Sequence, residues 1–328
     1  MTHGLVLGKF MPPTQGHVDL VRFAGEFCGD VSVVVGSLPT EPIPGELRVR
    51  WVKELFPTCS VLHLTEELPS DPSEHPDFWP LWRASLRALL PSPPTHVFAG
   101  EDYGARLATE LGAVFVPMDR TSGPSAGVNA TAIRKDPALH WDQLPGPCRP
   151  YFQKRVHIVG PESSGKTTLA AKLAEQFGTL WVPEYARTWL ERAGNATQDD
   201  VRPVAPEDMP IIARGHRASA EALAPGAGPI LFLDTDALTT VLWSRELFGA
   251  VDDQVLALAD AEAPALTLLT SPDLDWQPDS VRYRQGQGTR HYEWLESELD
   301  RRSRPWVRIA GRGDQRWRSA VAAITERL

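Results

Sequence analysis

Short apolar runs alternate with amphipathic stretches along the first half of the chain. The apolar runs have the length of buried strands, and the stretches between them repeat apolar residues at helical spacing. Strands are predicted at 5–8, 31–36, 60–64, 96–99 and 113–116, and helices at 16–27, 45–56, 79–90 and 103–111. Strands that alternate with helices predict a parallel sheet covered by helices on both faces.

The second half of the chain shows the same alternation after a proline-rich interruption at 136–154. Because proline breaks strand and helix patterns, this interruption is predicted to be a linker. Beyond it, strands are predicted at 155–159, 180–182, 230–234, 266–270 and 307–309, with helices between them and a final helix at 312–328. The predicted fold class is α/β, with two doubly wound parallel-sheet domains at 1–148 and 149–328.

Length and composition agree with this division and narrow the class of protein. A chain of 328 residues with 42% hydrophobic and 23% charged residues predicts about two globular domains with substantial cores. The net charge of −9 argues against general nucleic-acid binding, which needs a basic surface. No apolar run approaches the length of a membrane span.

Cysteine usage and the N-terminus bear on the cellular compartment. Cys28, Cys59 and Cys148 are widely separated and form no C-x-x-C pair. This usage fits a reducing compartment and predicts neither a zinc site nor a disulfide framework. The chain leads directly into the first predicted strand, and no signal peptide is visible. We therefore expect a soluble, cytoplasmic protein with no membrane or nucleic-acid partner.

A phosphate-binding loop is predicted in the middle of the chain. The pattern G-x-x-x-x-G-K-[ST] follows the apolar run 155–159 and opens a helical pattern at 169–177. In this context backbone amides and a helix N-terminus bind phosphate, a lysine reaches the β- and γ-phosphate oxygens, and a hydroxyl binds Mg²⁺. The residues assigned to this site are Gly160, Glu162, Ser163, Ser164, Gly165, catalytic Lys166, metal-binding Thr167, and Thr168. About 150 residues precede the loop, so we expect it to open a second domain.

Three later features favour a small-molecule kinase over an ATPase or a GTPase. The first is Glu184-Tyr185-Ala186-Arg187, which follows the second predicted strand of this domain. A carboxylate at that position can accept the proton of a substrate hydroxyl, and Tyr185 and Arg187 are assigned to substrate binding. In the alternative interpretation, Glu184 and Arg187 are structural charges at a helix end.

The second feature is an apolar strand at 230–234 that ends in two carboxylates. Strand-end carboxylates bind Mg²⁺ or hold a substrate ribose in phosphate-loop enzymes. Asp234 is therefore assigned to the metal and to catalysis, and Asp236 to the substrate. The sequence leaves open which of Glu184, Asp234 and Asp236 accepts the proton.

The third feature is a polar segment at 271–284 between a predicted strand and a predicted helix. It is interpreted as a lid that closes over the transferred phosphate and excludes water. Arg282 in this lid is assigned to phosphate binding. The alternative interpretation is a polar surface loop with unpaired arginines.

Another phosphate site is predicted at the start of the chain. The first strand ends at Gly8, a proline-containing loop follows, and a helix begins near Gly16. Thr14 and His17 then project from the first helical turn, where the helix N-terminus favours an anionic phosphate. Lys9 or the loop amides can add further donors. The structural alternative is an ordinary strand–loop–helix corner with an exposed histidine.

This corner resembles the signature of the nucleotidylyltransferase superfamily, G-x-F-x-P-x-[HT]-x-G-H. The matching residues are Gly8, Phe10, Pro12, Thr14, Gly16 and His17. A second signature of the superfamily, I-S-[GAS]-T-x-[IV]-R, is matched by Thr131, Ile133 and Arg134. Asn129 stands where serine is common and can cap the helix.

The superfamily resemblance implies a Rossmann-like domain that catalyses adenylyl transfer. A substrate phosphate attacks the α-phosphorus of ATP, and no protein nucleophile is needed. His17, Thr14 and Arg134 are then expected to stabilise the developing charge, with Mg²⁺ bridging the phosphates. The residues expected to bind ATP are Gly8, Lys9, Phe10, Gly16 and Thr131.

Both halves together resemble the NadR family of bifunctional enzymes. The second half is similar to the ribosylnicotinamide kinase domain of that family in the following runs: G-x-E-S-S-G-K-[ST], Glu184-Tyr185-Ala186-Arg187, Asp234-Thr235-Asp236 and Ser271-Pro272-Asp273. The resemblance implies a C-terminal P-loop kinase that phosphorylates nicotinamide riboside with ATP and Mg²⁺. It also implies an N-terminal domain that converts NMN and ATP to NAD.

The family resemblance carries three further expectations. Aromatic side chains should sandwich the nicotinamide ring near each site, and the candidates are Trp79, Trp82, Tyr185 and Trp243. The partners are small molecules, and a homo-oligomer is compatible with the resemblance. Some family members carry an N-terminal DNA-binding helix-turn-helix, and because this chain starts at the first strand, repressor function is expected to be absent.

The sequence leaves two alternatives to this function. A pantetheine-phosphate adenylyltransferase fused to a dephospho-coenzyme A kinase has two reactions of the same general form, but it does not predict the Glu-Tyr-Ala-Arg run. A nucleotide-sensing regulator would bind the same ligands with poor turnover. The presence of Lys166, Thr167 and His17 argues against that second alternative.

Overall fold

The computed structural model describes residues 2–119, 128–192, 204–277 and 286–328. The chain divides into two compact units, Met1–Arg149 and Pro150–Leu328, one residue away from the predicted domain boundary. Among the described residues, each unit contains one five-stranded sheet in which all paired strands are parallel. The predicted α/β class with two doubly wound parallel sheets is confirmed.

The first unit is a five-stranded sheet with helices on its faces. Its strands are β1 (His3–Gly8), β2 (Asp30–Gly36), β3 (Ser60–Leu64), β4 (His96–Ala99) and β5 (Val114–Pro117). Its helices are α1 (Gln15–Phe27), α2 (Gly45–Leu55), α3 (Phe78–Leu89), α4 (Tyr103–Leu111) and α5 (Ala130–Lys135). The strand order is β3-β2-β1-β4-β5, so it reverses between β1 and β4. In such sheets the crevice outside the carboxyl ends of the strands binds ligands.

Part of the segment predicted as a linker is packed into the first unit. Two short helical turns, Trp141–Gln143 and Gly146–Cys148, bury the side chains of Trp141 and Cys148. The apolar side chains bind this proline-rich segment to the core, because their burial offsets the cost of ordering it. A four-residue helix, α6 (Arg149–Phe152), lies at the boundary of the two units.

The second unit repeats the architecture with a different strand order. Its strands are β6 (Lys154–Val159), β7 (Trp181–Val182), β8 (Ile230–Asp234), β9 (Leu266–Thr270) and β10 (Trp306–Ile309). Its helices are α7 (Lys166–Gln176), α8 (Tyr185–Arg192), α9 (Asp208–Leu223), α10 (Ala237–Phe248), α11 (Asp253–Ala261), α12 (Gly288–Arg301) and α13 (Asp314–Arg327). The strand order is β10-β9-β6-β8-β7. The loop after β6 therefore opens at the middle of the carboxyl edge.

The central strands of the second unit are buried on both faces, which explains their nearly continuous apolar sequences. Leu268 on β9 packs into a core with α7 and α13, whereas the next residue, Leu269, packs into a core with α9, α10 and α12. Successive side chains of a strand point to opposite faces, so both faces of the sheet are covered. None of the helices within the described ranges has the length and apolar character needed to cross a membrane.

We expect Val97→Ala and Val114→Ala, on the neighbouring strands β4 and β5, to differ sharply in their effects. Val97 is 1% exposed, whereas Val114 is 59% exposed. Val97→Ala should lower the free energy of unfolding of the first unit by about 2 kcal/mol, because burial is lost and a cavity remains. Val114→Ala should cost less than about 0.5 kcal/mol. Urea unfolding followed by circular dichroism measures both values, and equal losses would contradict the buried position of Val97.

Candidate active sites

The first site begins at the N-terminus of α1, where Thr14 and His17 bind each other. The Thr14 side chain accepts a hydrogen bond from the backbone N–H of His17, and the Thr14 backbone N–H donates to His17 Nδ1 at 3.0 Å. The Thr14 hydroxyl also lies 2.8 Å from the same nitrogen. This reciprocal pair is a capping box, with histidine in the place of the usual glutamate.

The capping box determines which nitrogen of the His17 ring carries the proton. A backbone N–H can only donate, so Nδ1 must accept, and Nε2 of the neutral ring then acts as the donor. Thr14 itself is 1% exposed and does not line the cleft beside it, whereas His17 does. Thr14 was predicted to stabilise charge directly; the structure instead gives it contacts that orient His17.

A cleft of about 720 Å³ opens beside His17 at the carboxyl ends of the strands. The predicted residues that line it are Gly8, Lys9, Phe10, His17, Thr131 and Arg134. Two of the predicted aromatic residues, Trp79 and Trp82, also line the cleft. Gly16 does not line it and is buried in the first turn of α1. The structure thus brings most of the predicted residues of this unit to one cleft.

Helix α5 carries the second signature to the same cleft. Asn129 caps α5 by accepting a hydrogen bond from the backbone N–H of Ala132 at 2.9 Å. Arg134 donates to the carbonyl oxygen of Met11 and, at 3.0 Å, to the hydroxyl of Thr131. The guanidinium therefore joins the loop after β1 to α5 at the position where the signature predicts a triphosphate.

A buried arginine that the sequence did not single out supports the same loop. Arg48 on α2 is fully buried and donates to the carbonyl oxygens of Lys9 at 2.7 Å and Gly36 at 3.2 Å. Its guanidinium also pairs with Glu41 at 2.6 Å, and Glu41 pairs with the Lys9 ammonium at 3.0 Å. Although burial opposes ionisation, hydrogen bonds from Leu38 and Lys9 and the Arg48 charge hold the pKa of Glu41 below its ordinary value.

The second site is built on the loop after β6. Gly160, Ser163 and Gly165 have φ values of 150°, 58° and 80°. A Cβ atom at Gly160 would overlap the hydroxyl of Thr270 and lie 2.7 Å from its carbonyl oxygen, so this position requires glycine. Lys166 Nζ donates to the carbonyl oxygens of Gly160 at 3.0 Å and Pro161 at 2.8 Å. The predicted phosphate-binding loop is thus present at the N-terminus of α7.

Thr167 and Asp234 form a pair that suits a divalent cation. The Thr167 hydroxyl donates to Asp234 Oδ2 at 2.6 Å. The other carboxylate oxygen, Oδ1, is buried, and no described residue hydrogen-bonds to it. Burial raises the pKa of Asp234, against the opposing charge of Lys166 and the Thr167 hydrogen bond. A hydroxyl and a carboxylate are oxygen ligands of the kind that Mg²⁺ prefers, so the residues fit this ion.

Asp236 occupies a different environment from the one the sequence suggested. Thr235, between the two carboxylates, has a φ of 74°, a left-handed conformation that is strained for a β-branched residue. The turn directs Asp236 away from Asp234: it caps α10 and pairs with Arg304 at 3.2 Å and His157 at 3.5 Å. Asp236 was predicted to contact substrate, but it is buried and is absent from the lining of the cavity.

A buried cluster of ligand-type side chains surrounds Asp236. The candidate ligand atoms of His157, Asp236 and Glu262 lie within 4.8 Å of one another. The guanidinium of Arg304, which pairs with Asp236, places a positive charge beside this group. That charge disfavours a cation, so we interpret the cluster as an internal ion-pair network that anchors the N-terminus of α10.

A cavity of about 170 Å³ lies between the phosphate-binding loop and helices α8, α9 and α10. Its polar wall contains Glu184, Tyr185 and Arg187, together with the whole run 160–168. Its apolar wall is formed by Leu190, Val204, Met209, Ile212, Leu242, Trp243 and Leu247. Burial raises the pKa of Glu184 although Lys166 acts in the opposite direction. The cavity can hold a ring against apolar side chains and a polar group near the loop.

The described part of the predicted lid packs on the phosphate-binding loop. The backbone N–H of Gln277 donates to the Ser163 hydroxyl at 3.0 Å, and Leu274 lies over Gly165. Arg282 lies outside the described residues. Arg187 donates to Glu191 at 3.2 Å on the same helix.

Known proteins resemble this chain in sequence and in fold. A family model described as AAA domain matches residues 155–316. The trifunctional NAD biosynthesis/regulator protein NadR of Salmonella typhimurium is 26% identical over 299 residues, which is 85% of this chain and 71% of the relative. A crystal structure of NadR protein in complex with NR has a TM-score of 0.78 at 24% identity, over 99% of this chain and 96% of that one. NadR protein in complex with NAD and AMP-PNP has a TM-score of 0.74 at 24% identity, with the same coverage.

The structural likenesses show that the fold is shared along nearly the whole chain. The sequence similarity extends over both compact units, because a 299-residue alignment is longer than either unit alone. On these findings the chain is similar to NadR proteins in sequence over about 300 residues and in fold along nearly its whole length.

Proposed function

We propose that this protein makes NAD from nicotinamide riboside in two ATP-dependent steps. The second unit transfers the γ-phosphoryl group of ATP to the 5′-hydroxyl of the riboside and yields NMN and ADP. The first unit joins NMN to the AMP moiety of ATP and yields NAD and pyrophosphate. The observation that carries the proposal is that, in each unit, residues predicted to bind phosphate line a cleft that also has aromatic walls. Relatives named for NAD biosynthesis, and NadR structures with NR and with NAD, agree with it.

In the first unit, the geometry supports charge stabilisation rather than covalent catalysis. An NMN phosphate oxygen attacks the α-phosphorus of ATP, and the bond from that phosphorus to the bridging oxygen breaks as pyrophosphate leaves. His17, held by Thr14 with Nε2 as the donor, donates to a phosphate oxygen. Arg134 lies in the same cleft and adds a fixed positive charge.

In the second unit, the contacts of the three carboxylates support Glu184 as the proton acceptor. Asp236 caps α10 and pairs with Arg304 and His157, so its carboxylate is already occupied by structural contacts. Asp234 accepts from Thr167, and these two residues would hold Mg²⁺, which neutralises phosphate oxygens when bound. Glu184 lines the cavity, and its raised pKa makes it a stronger base than an exposed glutamate. It takes the 5′-hydroxyl proton as the oxygen bonds to the γ-phosphorus and ADP leaves.

The direct test is incubation of the protein with ATP and Mg²⁺ and either nicotinamide riboside or NMN, with NAD followed by chromatography. We expect NAD from both substrates. NAD from NMN alone would remove the kinase step, and no NAD from either would refute the proposal. Phosphopantetheine and dephospho-coenzyme A, supplied in parallel, test the coenzyme A alternative. Tight nucleotide binding without turnover would favour the regulator.

Lys166→Ala and His17→Ala should separate the two activities. Lys166→Ala removes the ammonium from the phosphate-binding loop and should lower riboside phosphorylation at least about a hundredfold, with NMN conversion retained. His17→Ala should have the opposite effect. Rates of ADP and pyrophosphate release measure each step. Lys172→Ala, an exposed lysine on the same helix, is the matched control. Loss of NMN conversion in Lys166→Ala would contradict independent sites.

Riboside phosphorylation should lose rate as pH falls through the raised pKa of Glu184, because only the ionised carboxylate accepts a proton. This acid limb should lie above the ordinary range for glutamate. Glu184→Gln should abolish the limb and lower the rate about a hundredfold or more. The pH profile of kcat/KM checks both expectations, with Glu191→Gln on α8, the helix that follows Glu184, as control. An unchanged acid limb in Glu184→Gln would assign the proton to another group.

Gly215→Ala should weaken binding of the riboside without affecting ATP. A Cβ atom at Gly215 on α9 would overlap the ring of Tyr185, so the Tyr185 wall depends on glycine there. Displacement of the ring should raise the KM for the riboside up to about tenfold. Gly226→Ala, where the nearest side-chain atom is 4.0 Å away, is the matched control. Equal KM values in the two variants would show that Tyr185 does not contact the substrate.

A further inference from the structure

The buried guanidinium of Arg316 hydrogen-bonds to three loops of the second unit, those that follow β6, β9 and β10. Arg316 on α13 donates to the carbonyl oxygen of Ser164, after β6, at 2.6 Å. It also donates to the carbonyl oxygens of Ser271, after β9, at 3.2 Å and Gly311, after β10, at 2.8 Å. A single side chain therefore joins the loops after β6, β9 and β10.

The charge of Arg316 is satisfied by the same loops. Arg316 is 4% exposed, and its guanidinium pairs with Asp273. Asp273 also accepts a hydrogen bond from the backbone N–H of Gly311 at 2.6 Å. A buried guanidinium with a carboxylate and three carbonyl partners is well satisfied, and removing it would take a donor away from the carbonyl oxygens of the buried residues Ser164 and Ser271.

The bond to Ser164 has a directional consequence for phosphate binding. A trans peptide unit is planar, so its C=O and N–H groups point in opposite directions. Arg316 holds the Ser164 carbonyl on the α13 side, so the N–H of Gly165 in the same peptide unit points to the opposite side. Ser164, Gly165 and Lys166 line the nucleotide cavity, whereas Arg316 does not. Arg316 thereby fixes the direction of a loop amide without reaching the ligand.

We propose that Arg316 is a positioning residue for the phosphate-binding loop: it orients the Ser164–Gly165 peptide and holds the loops after β9 and β10 against it. The proposal rests on the proposed function only in treating this loop as an ATP site. It does not depend on which molecule accepts the phosphoryl group.

The test measures nucleotide binding directly in the full chain. Titration calorimetry with AMP-PNP and Mg²⁺ gives the total binding, and the component that Lys166→Ala removes belongs to the phosphate-binding loop. Arg316→Met should weaken that component at least about tenfold, because a misplaced loop amide loses its contact with phosphate. The component that survives in Lys166→Ala should stay unchanged. Arg318→Met, an exposed arginine on the same helix, is the matched control.

Two milder variants keep the test decisive if Arg316→Met does not fold. Arg316→Lys retains the charge but cannot reach three carbonyl oxygens from one ammonium, so intermediate affinity is expected. Asp273→Asn keeps an acceptor for Gly311 and removes the ion pair, which should also weaken the loop component. A merely structural role would lower the melting temperature and leave the affinity of the folded variants within twofold of the wild type. That result, or an equal loss in Arg318→Met, would overturn the proposal.

Discussion

A loop that binds phosphate through its amides must satisfy its carbonyl oxygens on the opposite side. Peptide planarity makes this a constraint. When the N–H of a residue faces an anion, the C=O of the preceding residue, in the same peptide unit, points towards the protein interior. Both units meet it with a buried arginine. Arg48 binds the carbonyl oxygens of Lys9 and Gly36 at the ends of β1 and β2, and Arg316 binds those of Ser164, Ser271 and Gly311. On the proposed function, the orientation of the phosphate-facing amides depends on these buried donors.

Backbone strain has a related role at the second site. Thr235 is β-branched yet has a φ of 74°, which is costly unless the neighbouring residues are held. They are held on both sides: Asp234 accepts from Thr167, and Asp236 caps α10 and pairs with Arg304. Thr235 therefore places the carboxylates of Asp234 and Asp236, which are two positions apart in the sequence, in two different environments. Asp234 contacts Thr167, next to the phosphate-binding loop, and Asp236 caps α10, which forms a wall of the cavity.

The sequence predicted the elements well and the roles of single residues less well. The phosphate-binding loop and the His17 corner were accessible because their chemistry lies within short segments with fixed spacing. The environment of Asp236 was not, since it depends on Arg304 and His157, which are distant in sequence. Arg48 and Arg316 were missed because an arginine ordinarily indicates an exposed position. A signal existed for Arg316: it shares helical spacing with buried Ala320, Ala323 and Ile324, so the apolar face of α13 includes it.

The placement of Thr14 explains why the signature tolerates threonine at that position. A direct phosphate donor would need to reach the cleft, but the Thr14 hydroxyl is buried against His17. The tasks at this position are to cap α1 and to keep Nδ1 of His17 as an acceptor. Capping α1 needs a short side chain with an oxygen or nitrogen acceptor. Keeping Nδ1 of His17 as an acceptor needs only a backbone N–H, which nearly every residue has. On the proposed function, His17 supplies the donor to the phosphate, and its orientation is set by contacts with Thr14, three positions earlier.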